Sequence, residues 1–338
     1  MRARVMVTAG ALVATAIGLV PPGLPAGAAV TVTSSGTEVT ATVTGASATI
    51  GIGCVGGTIR VGGVAATPSV SCTAVTDVTI VGDGSDQIFN LTGAGTGFPA
   101  LPAVVLNAAG GSDLVFGSSK RDVVLAGTGN DQVLLSAGGA DDQLVMGGDA
   151  GDSAQISGTP AAEAFDLAIG TPTTTIDVTG PGGWEANVGS AAFISVAGLG
   201  GADSIDGRGV TAVATVVGLA FAGGDGDDVL LGGDATNTLQ GGTGTNTLEG
   251  GPGADVITTS SPTDTIRGLG GDDHVVDDGD GRIGGRAITA PGSPDDHWTV
   301  RAQGDAALRV RRTGPSVVAV TGALARTGRQ DLGPGVGE

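Results

Sequence analysis

The sequence predicts an all-β fold, a parallel β-helix or β-roll solenoid closed by a short antiparallel β cap near its C-terminal end. The first observation behind this is a repeat. From Gly223 to Val276 the chain runs through six nine-residue units in phase, GGDGDDVLL, GGDATNTLQ, GGTGTNTLE, GGPGADVIT, TSSPTDTIR and GLGGDDHVV, a period that suits one turn plus one short strand stacked many times. The second is composition: 65 Gly with only 2% aromatic residues suit thin stacked strands and tight turns rather than a thick globular core. The third is the pattern inside the unit. Its eighth residue is always aliphatic (Leu230, Leu239, Leu248, Ile257, Ile266, Val275) and its sixth is always Asp or Asn. Side chains therefore alternate about a strand with one buried face, while carboxylates and amides return at every turn.

The elements follow in chain order. Residues 1–28 read as a signal peptide. Arg2 and Arg4 precede the apolar run from Val5 to Val20, and the small residues Ala26-Gly27-Ala28-Ala29 offer cleavage after Ala28 or Ala29, which predicts a secreted, extracellular mature chain. Residues 29–80 alternate Thr and Val with Gly, the pattern of short period-two strands. Cys54 and Cys72 lie in this region and are the only cysteines; in an exported chain they are expected to form a disulfide, and a loop of that size stabilises by about 3 kcal/mol in the chain-entropy account.

Residues 81–156 carry a fainter repeat. Asp86, Asp113, Asp122 and Asp131 fall at multiples of nine and predict one register, followed at looser spacing by Asp142 and Asp152. Here the eighth and ninth residues are both apolar (Ile88 and Phe89, Val115 and Phe116, Val124 and Leu125). Strands of that kind are buried on both faces, which predicts a thicker β-helix whose glycine-poor turns argue against metal. Residues 157–197 lose the nonad and read as an irregular β insertion, with Trp184 behind the turn Pro181-Gly182-Gly183. GLGGADSID restores the register at Asp203 and opens the regular roll over 198–276. Residues 277–322 break phase; within them 297–320 read as three antiparallel strands that cap the last coil. Residues 323–338 are Gly-rich and polar and are expected to be disordered.

The regular units resemble the RTX, or haemolysin-type, calcium-binding repeat G-G-x-G-x-D-x-U-x, where U is a bulky aliphatic residue; GGDGDDVLL and GGPGADVIT match at every specified position. The resemblance implies a parallel β-roll with two nonads per coil and Ca2+ held between turns stacked on one edge. Its implied ligands are the sixth-position residues Asp228, Asn237, Asn246, Asp255, Asp264 and Asp273 together with glycine-turn carbonyls. Implied neighbours stand eighteen residues apart: Asp228, Asn246 and Asp264 on one edge, Asn237, Asp255 and Asp273 on the other. Among these six, only Asp255 with Asp273 pairs two carboxylates. Asn at 237 and 246 keeps an oxygen but loses a charge, which weakens a hard-cation site, and TSSPTD lacks all three glycines. A solenoid whose Asp and Asn side chains merely cap turns is the structural alternative. Stacked uncompensated carboxylates repel one another, and that favours a cation.

The remaining chemistry is sparse. A formal net charge of −19 argues against a nucleic-acid partner. No stretch beyond the leader is apolar enough to span a bilayer as a helix. The chain has two His, one Lys and no Tyr, and neither a G-x-S-x-G elbow nor an H-E-x-x-H helix occurs. Arg60 and Arg208 are isolated candidates for a lyase base, and His297 beside Asp295 and Asp296 reads as a surface histidine. The resulting expectation is a secreted, monomeric calcium-binding protein with a structural or surface-interaction role, no catalysis, and a cell-wall or extracellular polymer as candidate partner. A polysaccharide-active enzyme of lyase or epimerase type on a β-helix is the alternative.

Overall fold

Nine residues of turn and strand carry the chain halfway round the solenoid, and eighteen bring it back above its starting point. In a computed structural model of the protein, Leu230 pairs with Leu248 and Leu248 with Ile266 in one parallel sheet; Leu239 pairs with Ile257 and Ile257 with Val275 in the facing one. These aliphatic residues meet between the sheets and are at most 2% exposed. The structure describes residues 29–277 apart from 46–48, 96, 138–139, 150, 170–174, 184, 190, 192, 212–217, 262 and 272, together with the strands Ile283–Thr289, Trp298–Thr299, Val310–Gly314, Val317–Gly322 and Asp331–Leu332. The predicted signal peptide, Trp184 and His297 lie outside the described residues.

Among the described residues the strands form one sixteen-stranded sheet, one twelve-stranded sheet and a two-stranded pair, without an α-helix. The chain alternates between the two large sheets. Ala103–Asn107 belongs to the larger, Leu114–Phe116 to the smaller, Arg121–Leu125 to the larger and Gln132–Ser136 to the smaller. This is the same two-strand coil as in residues 218–277, so the expected thicker helix over 81–156 is not found. Its second apolar residue per strand faces outward: Leu125 is 40% and Val145 45% exposed. The interior is filled by Val115, Val124, Val133 and Leu144. Alternation still decides which side is buried, and the outward apolar residues remain partly open to water.

Both sheets begin with hairpins that cover the first coil. Ala29–Ser35 and Glu38–Thr44 pair antiparallel, and the second of them starts the larger sheet by pairing parallel with Asp77–Val81. Thr49–Val55 pairs antiparallel with Thr58–Val61 and parallel with Ile88–Asn90, which starts the smaller sheet. Cys54 and Cys72 are joined in a disulfide, as expected, between the end of Thr49–Val55 and the loop leading to Asp77–Val81.

The irregular insertion is a strand meander. Ala164–Ile169, Thr175–Thr179 and Glu185–Gly189 lie side by side, and the outer two continue the larger sheet toward Ser204–Gly209 and Asp142–Val145. The smaller sheet passes directly from Ser153–Ser157 to Phe193–Gly200. At the far end, Ile283–Thr289 adds a parallel strand to the larger sheet, and Val317–Gly322 and Val310–Gly314 add an antiparallel hairpin. The first of the three predicted cap strands appears as Trp298–Thr299. It pairs with Asp331–Leu332, inside the stretch expected to be disordered.

Candidate metal-holding edges

Each coil turns twice, and at each turn the sixth-position side chain points inward. Asp228, Asn237, Asn246, Asp255, Asp264 and Asp273 are all at most 2% exposed. One oxygen of each except Asn237 accepts from the neighbouring coil, and Asn237 Oδ1 accepts from the Gly233 N–H of its own turn. On the larger-sheet edge the Asp228 N–H donates to Asn246 Oδ1 at 2.9 Å, and the Asn246 N–H to Asp264 Oδ1 at 2.8 Å. On the smaller-sheet edge the Asn237 N–H donates to Asp255 Oδ1 at 2.7 Å, and the Asp255 N–H to Asp273 Oδ1 at 3.0 Å. The eighteen-residue pairing of the sequence therefore exists in the fold as two ladders of backbone-to-side-chain hydrogen bonds.

The ladders extend beyond the regular repeat. On the larger-sheet edge the Glu163 N–H donates to Asp203 and the Asp203 N–H to Asp228, both at 2.8 Å. In the first block the Asp113 N–H donates to Asp131 and the Asp131 N–H to Asp152 on the smaller-sheet edge, while the Asp122 N–H donates to Asp142 on the larger. Asp203–Asp228 and Asp113–Asp131 are thus further carboxylate pairs. The first was hidden by its 25-residue separation; the sole clue was the motif at 198–206. One register is corrected. The Gln87 N–H donates to Asp113 Oδ1 across 26 residues and Ile88 pairs with Leu114, so the inward sixth position of the first nonad is Gln87, and Asp86 is exposed. A loop one residue short of three nonads shifts the count.

What happens to the second oxygen divides the turns into two kinds. The Oδ2 atoms of Asp113, Asp131, Asp203, Asp228 and Asp255 are buried with no hydrogen-bond partner. A Cβ added to Gly223 would strike Asp228 Oδ2 and would meet Gly241 O at 2.7 Å; one on Gly250 would strike Asp255 Oδ2 and meet Gly268 O at 2.7 Å; one on Gly198 would strike Asp203 Oδ2 and meet Gly223 O at 2.8 Å. The first glycine of the nonad therefore leaves open a place where a carboxylate oxygen and the next coil's carbonyl converge. Oxygen-only donors of this kind fit a hard divalent cation. Among the described residues no cluster of three or more His, Cys, Asp or Glu side chains could hold a metal, so any such cage is completed by backbone carbonyls.

In the other turns the chain supplies its own donors. Asp122 Oδ2 accepts from the Ser118 N–H at 2.6 Å, Asp152 Oδ2 from the N–H groups of Gly148 and Asp149, and Glu163 Oε2 from the Thr159 N–H. Asp264 Oδ2 accepts from the Thr259 hydroxyl. Asn237 donates its amide N–H groups to the carbonyls of Gly233, Ala235 and Gly250 at 2.8 to 3.0 Å. Of the six residues predicted as metal ligands, Asn237, Asp264 and, through its amide N–H to Gly242 O at 3.4 Å, Asn246 are thus engaged by their own turns.

Burial raises carboxylates in both kinds of turn, pushing self-capped Asp122 to about 6 and raising Asp152 despite their local donors. Burial, opposed by the single backbone hydrogen bond and reinforced by neighbouring carboxylates, pushes Asp113 to about 7 and Asp203 to about 6. Burial likewise pushes Asp255 to about 7 and raises Asp131 and Asp228. A carboxylate that resists ionisation at neutral pH for want of a counter-charge is relieved by a bound cation. The candidate lyase bases are engaged elsewhere: Arg208 pairs with Asp206 at 2.5 Å and Arg60 Nη1 donates to Gly63 O.

Residues 107–144, 222–257 and 249–276 match the family model for the RTX calcium-binding nonapeptide repeat, in four copies. The match includes the first block, where glycine-poor turns had argued against metal. No curated protein and no solved structure matches the chain. RTX nonapeptide repeats bind Ca2+, and the repeats and the fold together make this a calcium-binding β-roll protein.

Proposed function

We propose that this chain, a carrier of RTX calcium-binding nonapeptide repeats, is a secreted structural or surface-interaction protein without catalysis, whose roll is completed by Ca2+ between its turns. The observation that carries the reading is the set of buried carboxylate oxygens without hydrogen-bond partners, three of which, on Asp203, Asp228 and Asp255, are aimed at the first glycine of their nonad beside a carbonyl of the next coil. Leaving such a group unsatisfied costs on the order of 1–3 kcal/mol, and more when it is charged. A cation removes that cost, so Asp113, Asp131, Asp203, Asp228 and Asp255 are the residues that would hold it. Secretion is supported by the predicted leader and by the Cys54–Cys72 disulfide, which suits an oxidising compartment. The non-catalytic reading is supported by the way the buried titratable groups are spent on stacking coils, leaving few acid-base or nucleophilic side chains. A cell-wall or extracellular polymer remains the proposed partner.

The test is a CaCl2 titration of the calcium-stripped full chain, followed by thermal unfolding in circular dichroism. At calcium ten times Kd each site contributes about 1.4 kcal/mol, so several sites raise the melting temperature by many degrees. An unchanged melting curve up to about 10 mM, an order above the weakest extracellular calcium modules, overturns the reading.

A further inference from the structure

The self-capped turns do not fall at random along the edges. On the larger-sheet edge of the regular roll the column reads Glu163, Asp203, Asp228, Asn246, Asp264, each linked to the next by a backbone N–H donated to a side-chain oxygen. The two ends of this column are its self-capped carboxylates: the Thr159 N–H and hydroxyl close Glu163, and the Thr259 hydroxyl closes Asp264, while between them neutral Asn246 donates its amide N–H to Gly242 O. Asp203 and Asp228, inside the column, keep an unpartnered buried Oδ2.

A cation between coils takes ligands from the turn below and the turn above. A carboxylate oxygen already satisfied by a donor of its own turn leaves at most half a cage, which does not repay the dehydration of the ion. The local sequence carries the difference. The open turns have glycine at the fourth nonad position, and Gly201 and Gly226 adopt φ of 106° and 139° there, a region that side chains disfavour. The closed turns have Ala161 and Pro262 in place of that glycine. Thr259 also stands where Gly223 leaves an open cradle, so its side chain fills the place that a cation and a carbonyl share elsewhere.

We propose that Thr159–Glu163 and Thr259–Asp264 are built-in terminators of a short calcium row along the larger-sheet edge, with intramolecular donors standing in for the cation at each end. The inference rests on the calcium reading above and adds a boundary to it: the row holds ions at Asp203 and Asp228 and stops at Asp264. The Asp264 turn then needs no metal to hold its neighbour, whereas the Asp228 turn does.

The experiment counts ions in the full chain. Thr259→Gly with Pro262→Gly rebuilds the nonad as GSSGTDTIR, opens the cradle and frees Asp264 Oδ2. Isothermal titration and equilibrium dialysis are expected to show one more Ca2+ per chain than in the wild type. Hydrogen exchange of the calcium-stripped wild type supplies a second readout that needs no variant to fold. The Asn246 amide, held by self-capped Asp264, should stay protected, while the Asp203 amide, held by Asp228, should lose protection by about tenfold or more through local opening. A wild type that binds no calcium overturns the calcium reading and the terminators with it. A wild type that binds calcium, with an unchanged count in the folded variant or equal loss of protection at both amides, overturns the terminators alone.

Discussion

The first block, from Ala103 to Ser157, and the regular roll from Gly218 to Asp277 are built on the same coil, yet only the second announces itself in the sequence. Both stack one strand of each sheet per coil, and both bury an aliphatic column and donate backbone N–H groups to the carboxylates of the next turn. The difference lies in what surrounds that frame. The roll keeps coils of eighteen residues, whereas in the first block carboxylate neighbours stand 18, 20 and 21 residues apart. More of its outward positions are apolar, such as Phe116, Leu125 and Val145, where the roll has Thr238, Gln240 and Glu249 beside outward Val229, Leu231 and Val256. The architecture thus needs only an inward aliphatic residue and an inward oxygen acceptor per half-coil; constant spacing is dispensable. Turn insertions are absorbed at the surface while the strand register is kept.

The largest effect that would break or sharpen this likeness is pH. Asp113 in the first block and Asp203 and Asp255 in or next to the roll share one sign of shift, upward to about 7, 6 and 7, because burial disfavours their charged forms. A raised carboxylate pKa in the folded state means that folding takes up protons. The associated stability is complete below the unfolded value near 4 and is lost as pH rises through 6 and 7. Without calcium the melting temperature should therefore rise as pH is lowered from 8 to 5. With saturating calcium the trend should reverse, because the ion binds the deprotonated form and is displaced by protons. Thermal melts in calcium-stripped and calcium-loaded buffer at both pH values check this. A flat or falling trend on acidifying the stripped protein would mean that these carboxylates are not buried.

The disulfide separates the two regions. Cys54–Cys72 closes a loop of eighteen residues in the hairpins that cover the first coil, so reduction should cost about 3 kcal/mol there. The regular roll does not contain it. After treatment with dithiothreitol, hydrogen exchange should accelerate over Thr49–Val81 and the first coils, with the calcium dependence of residues 218–277 unchanged. Equal acceleration across both regions would show that the solenoid unfolds as one cooperative unit.

How much of this could be read from residues alone depended on where the information lies. The aliphatic eighth position and the recurring sixth position are local, so the all-β solenoid was legible from them, whereas the two strands per coil and the eighteen-residue pairs came with the resemblance to the RTX repeat. The Asp203–Asp228 pair was not, because the two stand 25 residues apart and spacing carries no record of how a loop folds back. The offset at Gln87 was missed for a similar reason: Asp86 and Gln87 both carry an oxygen acceptor, and only the pairing of Ile88 with Leu114 decides which of them turns inward. The expected thick core failed on another point. Alternation reports two apolar faces, but a strand at the surface of a two-sheet stack can leave one of them exposed. The local donors of Thr259 and Thr159 were invisible too, since a hydroxyl can reach the carboxylate only after the turn has lost its fourth-position glycine.

The smallest effect tests the two kinds of turn at adjacent rungs of one ladder. Asn237 donates its N–H to Asp255 Oδ1 and spends its amide on three carbonyls, with no ionisable group of its own. Asp255 has a buried Oδ2 with no hydrogen-bond partner beside Gly250 and Gly268. Asn237→Ala deletes the amide's hydrogen bonds and should destabilise the calcium-free protein by about 1–2 kcal/mol, leaving buried carbonyls unmet, while moving the calcium midpoint little. Asp255→Ala strands the Asn237 N–H but removes a buried group that is costly to ionise without metal, two effects that offset in part in the calcium-free protein, while the midpoint rises several-fold and one ion is lost. Urea melts in stripped buffer and calcium titrations of the two variants form the cross-check. If both variants move both quantities in parallel, amide and carboxylate turns are equivalent and the division between self-capped and cation-holding turns fails; if they cross, the sixth residue and its turn together decide where the roll takes an ion.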